Sequence, residues 1–155
     1  MKHLISIDDI GPNDRTELFQ VADRFSHLHP TTISKKYMEN KILANVFYEP
    51  STRTSTSFHS AMIKLGGQVI PINEINYSSV AKGENIEDTI KTIGCYSDLI
   101  VLRTKNAGDA AKAAEVSSVP IINAGDGNGE HPTQTLLDLY TIHKTKKTLQ
   151  GLNIV

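Results

Sequence analysis

Only one cysteine, Cys95, is present. A lone thiol excludes an internal disulfide framework and any cysteine-rich zinc site. Neither sign of charge is in excess: 16 Lys+Arg face 17 Asp+Glu, a formal net charge of -1. That balance gives no support to binding nucleic acid through an overall basic surplus, and no nucleic-acid partner is expected. Long apolar runs are missing. Leu99-Ile100-Val101-Leu102 is among the longest, against the roughly 18 residues of a membrane span, so no membrane partner is expected. The N-terminus brings Asp8 and Asp9 too early for a secretory signal, which makes the cytoplasm the expected location. No Asp/His pattern points to a metal. The G-x-G-x-x-G dinucleotide fingerprint and the Walker-type phosphate loop are both absent. No internal repeat, low-complexity tract or Gly/Ser linker occurs.

What remains is an ordinary globular composition: 155 residues, 39% hydrophobic and 21% charged, with a mean hydropathy of -0.25. One domain of this length buries roughly 70% of its unfolded surface. From Asp14 to about His29, Leu18, Val21, Ala22 and Phe25 form a helical stripe, and Pro30 ends it. Lys41 to Tyr48 reads as a strand stopped by Pro50. Phe58, Ala61, Met62 and Leu65 repeat the stripe before a Gly66-Gly67 cap. Gln68 to Ile72 is a short strand, and polar residues 76–85 read as a loop. Ile86, Thr89, Ile90 and Ile93 face one way along a helix whose end Gly94 leaves open. An apolar run from Asp98 to Leu102, an alanine-rich helix from Asp109 to Val116 and a strand from Pro120 to Asn123 follow. Gly125 to Gly129 reads as loop. Pro132 then opens a helix with Thr133, Leu136, Leu137 and Tyr140 as its buried stripe. The alternation predicts an α/β, three-layer α-β-α domain around a parallel sheet of about four strands. Leu152 to Val155 looks like the start of one further strand.

In open parallel sheets ligands bind beyond the carboxyl ends of the strands. After the first strand come Ser51, Thr52, Arg53, Thr54 and Ser55. A helix N-terminus offers unpaired N–H groups and partial positive charge, and a guanidinium matches phosphate oxygens. Capping accounts for one or two of these hydroxyls but not for four plus an arginine, so an anion site is favoured here. Arg103 at a strand end and Lys82 in a loop are, taken singly, ordinary surface cations. His131 is either an N-cap or a pocket residue, and Gln134 three positions on is placed to share its pocket. The remaining histidines, His3, His27, His29, His59 and His143, read as surface or core residues. Cys95 reads as buried helix packing. The residues alone therefore imply an α/β domain that binds a small phosphorylated ligand, and they name no reaction.

Taken together, Phe47-Tyr48-Glu49-Pro50-Ser51-Thr52-Arg53-Thr54, His131-Pro132-Thr133-Gln134 and Arg103 after an apolar strand resemble the motifs of the aspartate and ornithine carbamoyltransferase family. The resemblance runs from about Ile7 to Val155. Ser78-Ser79-Val80-Ala81-Lys82-Gly83-Glu84 is similar to the mobile loop of the aspartate branch, and Leu137 also fits that branch. Ser55 departs from it, since many relatives carry a basic residue there.

The resemblance implies that Ser51, Thr52, Arg53 and Thr54 hold the phosphate of carbamoyl phosphate. Thr54, Arg103 and His131 would bind its carbonyl oxygen and Gln134 its amino group. The implied reaction transfers the carbamoyl group to the α-amine of aspartate, an early pyrimidine-pathway step, with no metal or organic cofactor. The resemblance further implies a homotrimer, with Ser78 and Lys82 entering a neighbouring subunit's site, and admits regulatory subunits as partners. Residues 1–150 would form the carbamoyl-phosphate-binding domain and 151–155 the start of a second, aspartate-binding domain. Glu49 would then lack that domain's arginines as partners. The 155 residues are expected to bind carbamoyl phosphate weakly and not to turn over alone. The alternatives are the ornithine branch and a non-catalytic phosphate-binding or assembly module.

Overall fold

The computed structural model describes residues 2–27, 37–73 and 85–153. Five helices and four strands alternate: α1 Pro12–His27, β1 Ile42–Phe47, α2 Thr52–Lys64, β2 Gln68–Asn73, α3 Ile86–Gly94, β3 Leu99–Thr104, α4 Asp109–Val116, β4 Ile121–Asp126 and α5 Pro132–Lys146. The strands form one sheet in the order β2-β1-β3-β4, with every pairing parallel. This is the expected three-layer arrangement.

Side-chain alternation along the buried strands feeds two cores. Ala44, Val46, Ile100, Leu102 and Ile121 meet Ile90 and Ile93 of α3 and Ala113 of α4 on one face. Leu43, Phe47, Val101 and Ala124 meet Met62 of α2 on the other, with Phe58 packed against them. Each edge of the sheet is managed differently. The outer strand β2 carries Pro71 and largely exposed side chains, a common defence of an open edge. Beside β4, Leu4 adds a parallel bridge: its N–H donates to the Ile121 carbonyl and its own carbonyl accepts from the Asn123 N–H, both at 2.8 Å.

The order 2-1-3-4 has a functional consequence. After β1 the chain crosses by α2 to β2 on one side. After β3 it crosses by α4 to β4 on the other side, over the opposite face. β1 and β3 are adjacent yet their loops diverge, so a crevice opens between their carboxyl ends.

Several expectations are corrected. α1 starts at Pro12 and is described as far as His27, and its core residue is Phe19 rather than Leu18, which is 41% exposed. In α5 Leu137 is 60% exposed, because the helix turns Thr133, Leu136 and Tyr140 inward instead. By contrast, the hydroxyl-rich motif lies at a helix N-terminus as expected, with Ser51 the N-cap and Thr52 the first residue of α2. β4 runs on through Gly125 and Asp126. A register shift opposite Leu102 to Thr104 lets β4 continue to pair there. Cys95 is exposed at the C-cap of α3, not buried, because the helix ends just before it. Most of loop 76–85, including Ser78 and Lys82, lies outside the described residues, as do His29 and the last two residues of the expected terminal strand.

Candidate active site

The crevice between β1 and β3 is where the site residues gather. On the β1 side, Ser51 is the N-cap of α2 but its hydroxyl makes no capping bond. The first helical bond of α2 runs from the Ser55 N–H to the Ser51 carbonyl at 2.9 Å. The N–H groups of Thr52, Arg53 and Thr54 therefore have no helical acceptor. Ser55 is different: its carbonyl and hydroxyl accept from the amide of Asn45 at 3.1 and 3.0 Å. Asn45 is fully buried, and its Oδ1 has no hydrogen-bond partner among the described residues. So one of the four hydroxyls is structural, and capping explains none of the rest. Ser51 and Thr54 are half-buried, Thr52 and Arg53 exposed. A cavity of about 250 Å³ lies here, lined by Glu49, Pro50, Ser51 and Thr52 among others.

On the β3 side, Phe47 pairs with Arg103 in register, and the Tyr48 N–H donates to the Arg103 carbonyl at 2.9 Å. The Arg103 side chain donates from Nη1 to the Ala124 carbonyl at 3.2 Å. Its Nε stands 3.5 Å from Glu49 Oε2, an ion-pair contact without hydrogen-bond geometry. Glu49 thus has a partner within this domain. Gly125, at φ 116°, lies against the same group: a Cβ there would sit 2.8 Å from Arg103 Nη1 and 3.4 Å from His131 Cδ2. The backbone conformation demands glycine, and a side chain there would displace the Arg103 guanidinium.

His131 caps α5. Its Nδ1 accepts from the Gln134 N–H at 3.3 Å and lies 3.2 Å from Thr133 Oγ1. With Nδ1 as the acceptor, the neutral ring carries its proton on Nε2. Burial pushes the imidazole below the usual histidine value and the nearby Arg103 charge adds to this, while a backbone hydrogen bond and Asp138 oppose it. The ring is neutral at pH 7, an N–H donor rather than a proton source. Gln134 does not join it. Its Nε2 donates to Asp138 Oδ1 at 3.1 Å along the helix surface, so the expected shared pocket is not formed by that side chain.

The structure therefore brings together Ser51, Thr52, Arg53, Thr54, Arg103 and His131 at one end of the sheet. It turns Gln134 aside, and Ser78 and Lys82 fall outside the described residues. Asn45, Gly125 and Glu49 complete the site. Asn45 was visible as a polar break in an apolar strand. The glycine's role depends on neighbours distant in sequence. Among the described residues no cluster of three or more His, Cys, Asp or Glu is placed to hold a metal.

Fold and site together define a parallel α/β domain with a helix N-terminus, two arginines and a histidine gathered at its switch point. Residues 2–144 match the family described as aspartate/ornithine carbamoyltransferase, carbamoyl-P binding domain. The aspartate carbamoyltransferase catalytic subunit of Methanocaldococcus jannaschii is 53% identical over 154 residues, covering 99% of this chain and 50% of that protein. That of Clostridium perfringens is 50% identical over 156 residues, covering 99% and 49%. The solved M. jannaschii catalytic subunit superposes with a TM-score of 0.89 at 53% identity, over 98% of this chain and 50% of that one. The Trypanosoma cruzi aspartate transcarbamoylase in complex with carbamoyl phosphate and aspartate gives a TM-score of 0.90 at 36% identity, over 97% and 50%. The chain belongs to the aspartate/ornithine carbamoyltransferase family. It spans about half the length of the curated relatives it matches.

Proposed function

We propose that this chain binds carbamoyl phosphate and serves as the carbamoyl-phosphate half of an aspartate carbamoyltransferase. The observation that carries the reading is the unsatisfied first turn of α2. Three N–H groups and the hydroxyls of Ser51, Thr52 and Thr54 stand beside Arg53, one strand from the guanidinium of Arg103 and the imidazole of His131. In this reading the phosphate sits on the α2 turn, where the helix dipole and Arg53 favour a dianion. The carbonyl oxygen meets Thr54 Oγ–H, the Arg103 guanidinium and His131 Nε2–H. Gln134, released from Asp138, turns its Oε1 to the carbamoyl amino group.

The chemistry then follows. The α-amine of aspartate attacks the carbamoyl carbon and a C–N bond forms. The carbonyl oxygen becomes an oxyanion held by those donors, each worth about 3 kcal/mol in comparable sites. The C–O bond to phosphate breaks, phosphate leaves with the bonding pair, and the amine passes one proton to the departing phosphate. N-carbamoyl-aspartate results, as in pyrimidine biosynthesis in the cytoplasm. A neutral His131 suits this sequence, because it stabilises by donating a hydrogen bond and transfers no proton.

Residues 1–150 act as the carbamoyl-phosphate-binding domain. The chain spans about half the length of its matched relatives, and in this reading it binds carbamoyl phosphate but does not turn it over by itself. In the same reading three copies associate, and Ser78 and Lys82 serve a neighbour's site. Titration calorimetry tests the reading. The folded chain is expected to bind carbamoyl phosphate, and Arg53→Ala to weaken it at least about tenfold, the worth of a charge-assisted bond. Equal affinities for the two proteins would remove Arg53 from the site.

A further inference from the structure

The residue before His131 is held by the far end of the chain. The Glu130 carboxylate accepts from the Ser6 hydroxyl at 2.8 and 2.9 Å and from the Ile7 N–H at 2.8 Å. Its backbone is equally engaged. The Glu130 N–H donates to Asp126 Oδ1 at 2.6 Å, and its carbonyl accepts from Asn123 Nδ2 at 3.3 Å and from the Asp126 N–H at 3.2 Å. Asn123 Nδ2 also donates to the Ile5 carbonyl at 2.9 Å.

The gripping segment is itself fixed. Ser6 begins a 3-10 turn over Ile7–Asp9 with a reciprocal capping box, in which Asp9 Oδ2 accepts from the Ile5 and Ser6 N–H groups at 2.7 and 2.9 Å. Leu4 is bonded to β4 on both sides. Asp126 Oδ2 accepts from the Gly108 N–H at 3.0 Å, tying the loop after β3 to the same frame. Several of these bonds hold the Glu130 carboxylate, its N–H and Asp126. Two others, from Asn123 Nδ2 and the Asp126 N–H, reach the Glu130 carbonyl in the peptide group that leads into His131. That residue sits at φ -133° and ψ 74°, outside the helical region, so its ring direction depends on what precedes it.

We propose that Ser6 and Glu130 form a positioning clamp for His131: the N-terminal turn grips the residue before the histidine and so holds the imidazole against Arg103. The clamp is no catalytic group, since neither side chain reaches the crevice. It rests on the reading that His131 meets the carbonyl oxygen. The clamp also explains why a glutamate with no cationic partner among the described residues stands beside the active histidine: its charge is taken up by a hydroxyl and an N–H.

Two ligands separate positioning from stability. Inorganic phosphate needs only the α2 turn, whereas carbamoyl phosphate also needs His131. The chain and its Glu130→Ala and Ser6→Ala variants are titrated with each by calorimetry, with thermal melting as the folding control. Both variants are expected to weaken carbamoyl phosphate roughly fivefold, the worth of about one net hydrogen bond, and to leave phosphate unchanged. Glu130→Gln keeps a carbonyl acceptor for Ser6 and Ile7 and is expected to bind like the parent. Equal losses for both ligands, or no loss for carbamoyl phosphate, would overturn the clamp. If the parent chain binds neither ligand, the functional reading fails. The clamp is then read from the His131 ring by NMR. Its titration in Glu130→Ala is expected to move up toward an ordinary histidine as the ring leaves its buried place. An unmoved titration would overturn the clamp.

Discussion

His131 divides its work between two nitrogens. Nδ1 faces back into its own helix and accepts from the Gln134 N–H, which leaves Nε2–H for the crevice. Protonating Nδ1 abolishes that acceptor, and burial beside Arg103 disfavours the cation. The folded-state pKa lies below the unfolded one, so the unfolded chain binds more protons in between. The stabilisation is therefore fully present above about pH 6.5, the usual histidine value, and is lost as pH falls toward the folded value. His131→Asn keeps an N-cap that does not titrate. Its melting temperature should fall less than the parent's on acidification below that point. Parallel curves would mean the imidazole is not held neutral by the fold. His3, also depressed by burial, is common to both proteins and cancels. Arg103 and His131 were legible in the sequence only as parts of the family motifs, since each taken singly has an ordinary surface or capping reading. Glu130 and Gly125 were not legible, because their meaning is a contact with a distant segment.

At the scale of elements, α2 is the part that matters, and its placement rests on one buried side chain. Asn45 sits within β1 and donates twice to Ser55, one turn into the helix. This fixes the N-terminus of α2 against the sheet and leaves Ser51, Thr52 and Thr54 facing outward. Asn45→Ala leaves the Ser55 hydroxyl and carbonyl without that donor and opens a small void, at a cost of about 2 kcal/mol in chemical denaturation. A change below about 0.5 kcal/mol, the scale of an ordinary surface substitution, would show that β1 does not seat the helix. The element order, parallel sheet and three layers could be read from apolar periodicity, since helical stripes and continuous apolar strands differ plainly. Boundaries near the site could not. Hydroxyl residues suit caps and loops by propensity, yet Thr52 to Ser55 are the first turn of α2 because Asn45 and the crevice hold them there. Likewise Gly125 and Asp126 read as loop, and pairing with β3 across a register shift keeps them in β4.

For the whole molecule, the governing fact is the strand order β2-β1-β3-β4. It opens the crevice between β1 and β3 and gathers hydrogen-bond donors and cations from segments that are far apart in sequence. The near-zero net charge of the composition hides this cluster, since Arg53, Arg103 and His131 meet only when the sheet forms. The strand order itself was not readable from the sequence, because alternation fixes the number of crossovers and not their direction. Family membership places the chain among carbamoyltransferases whose matched relatives are about twice as long. The central claim is that the switch-point crevice is the carbamoyl-phosphate site. The most direct test is a ¹H–¹⁵N NMR titration of the chain with carbamoyl phosphate. Saturable shifts are expected at the N–H groups of Thr52, Arg53, Thr54, Arg103, Gly125 and His131, with α1 and α4 unmoved. Shifts centred elsewhere, or none at millimolar ligand with the domain folded, would contradict it.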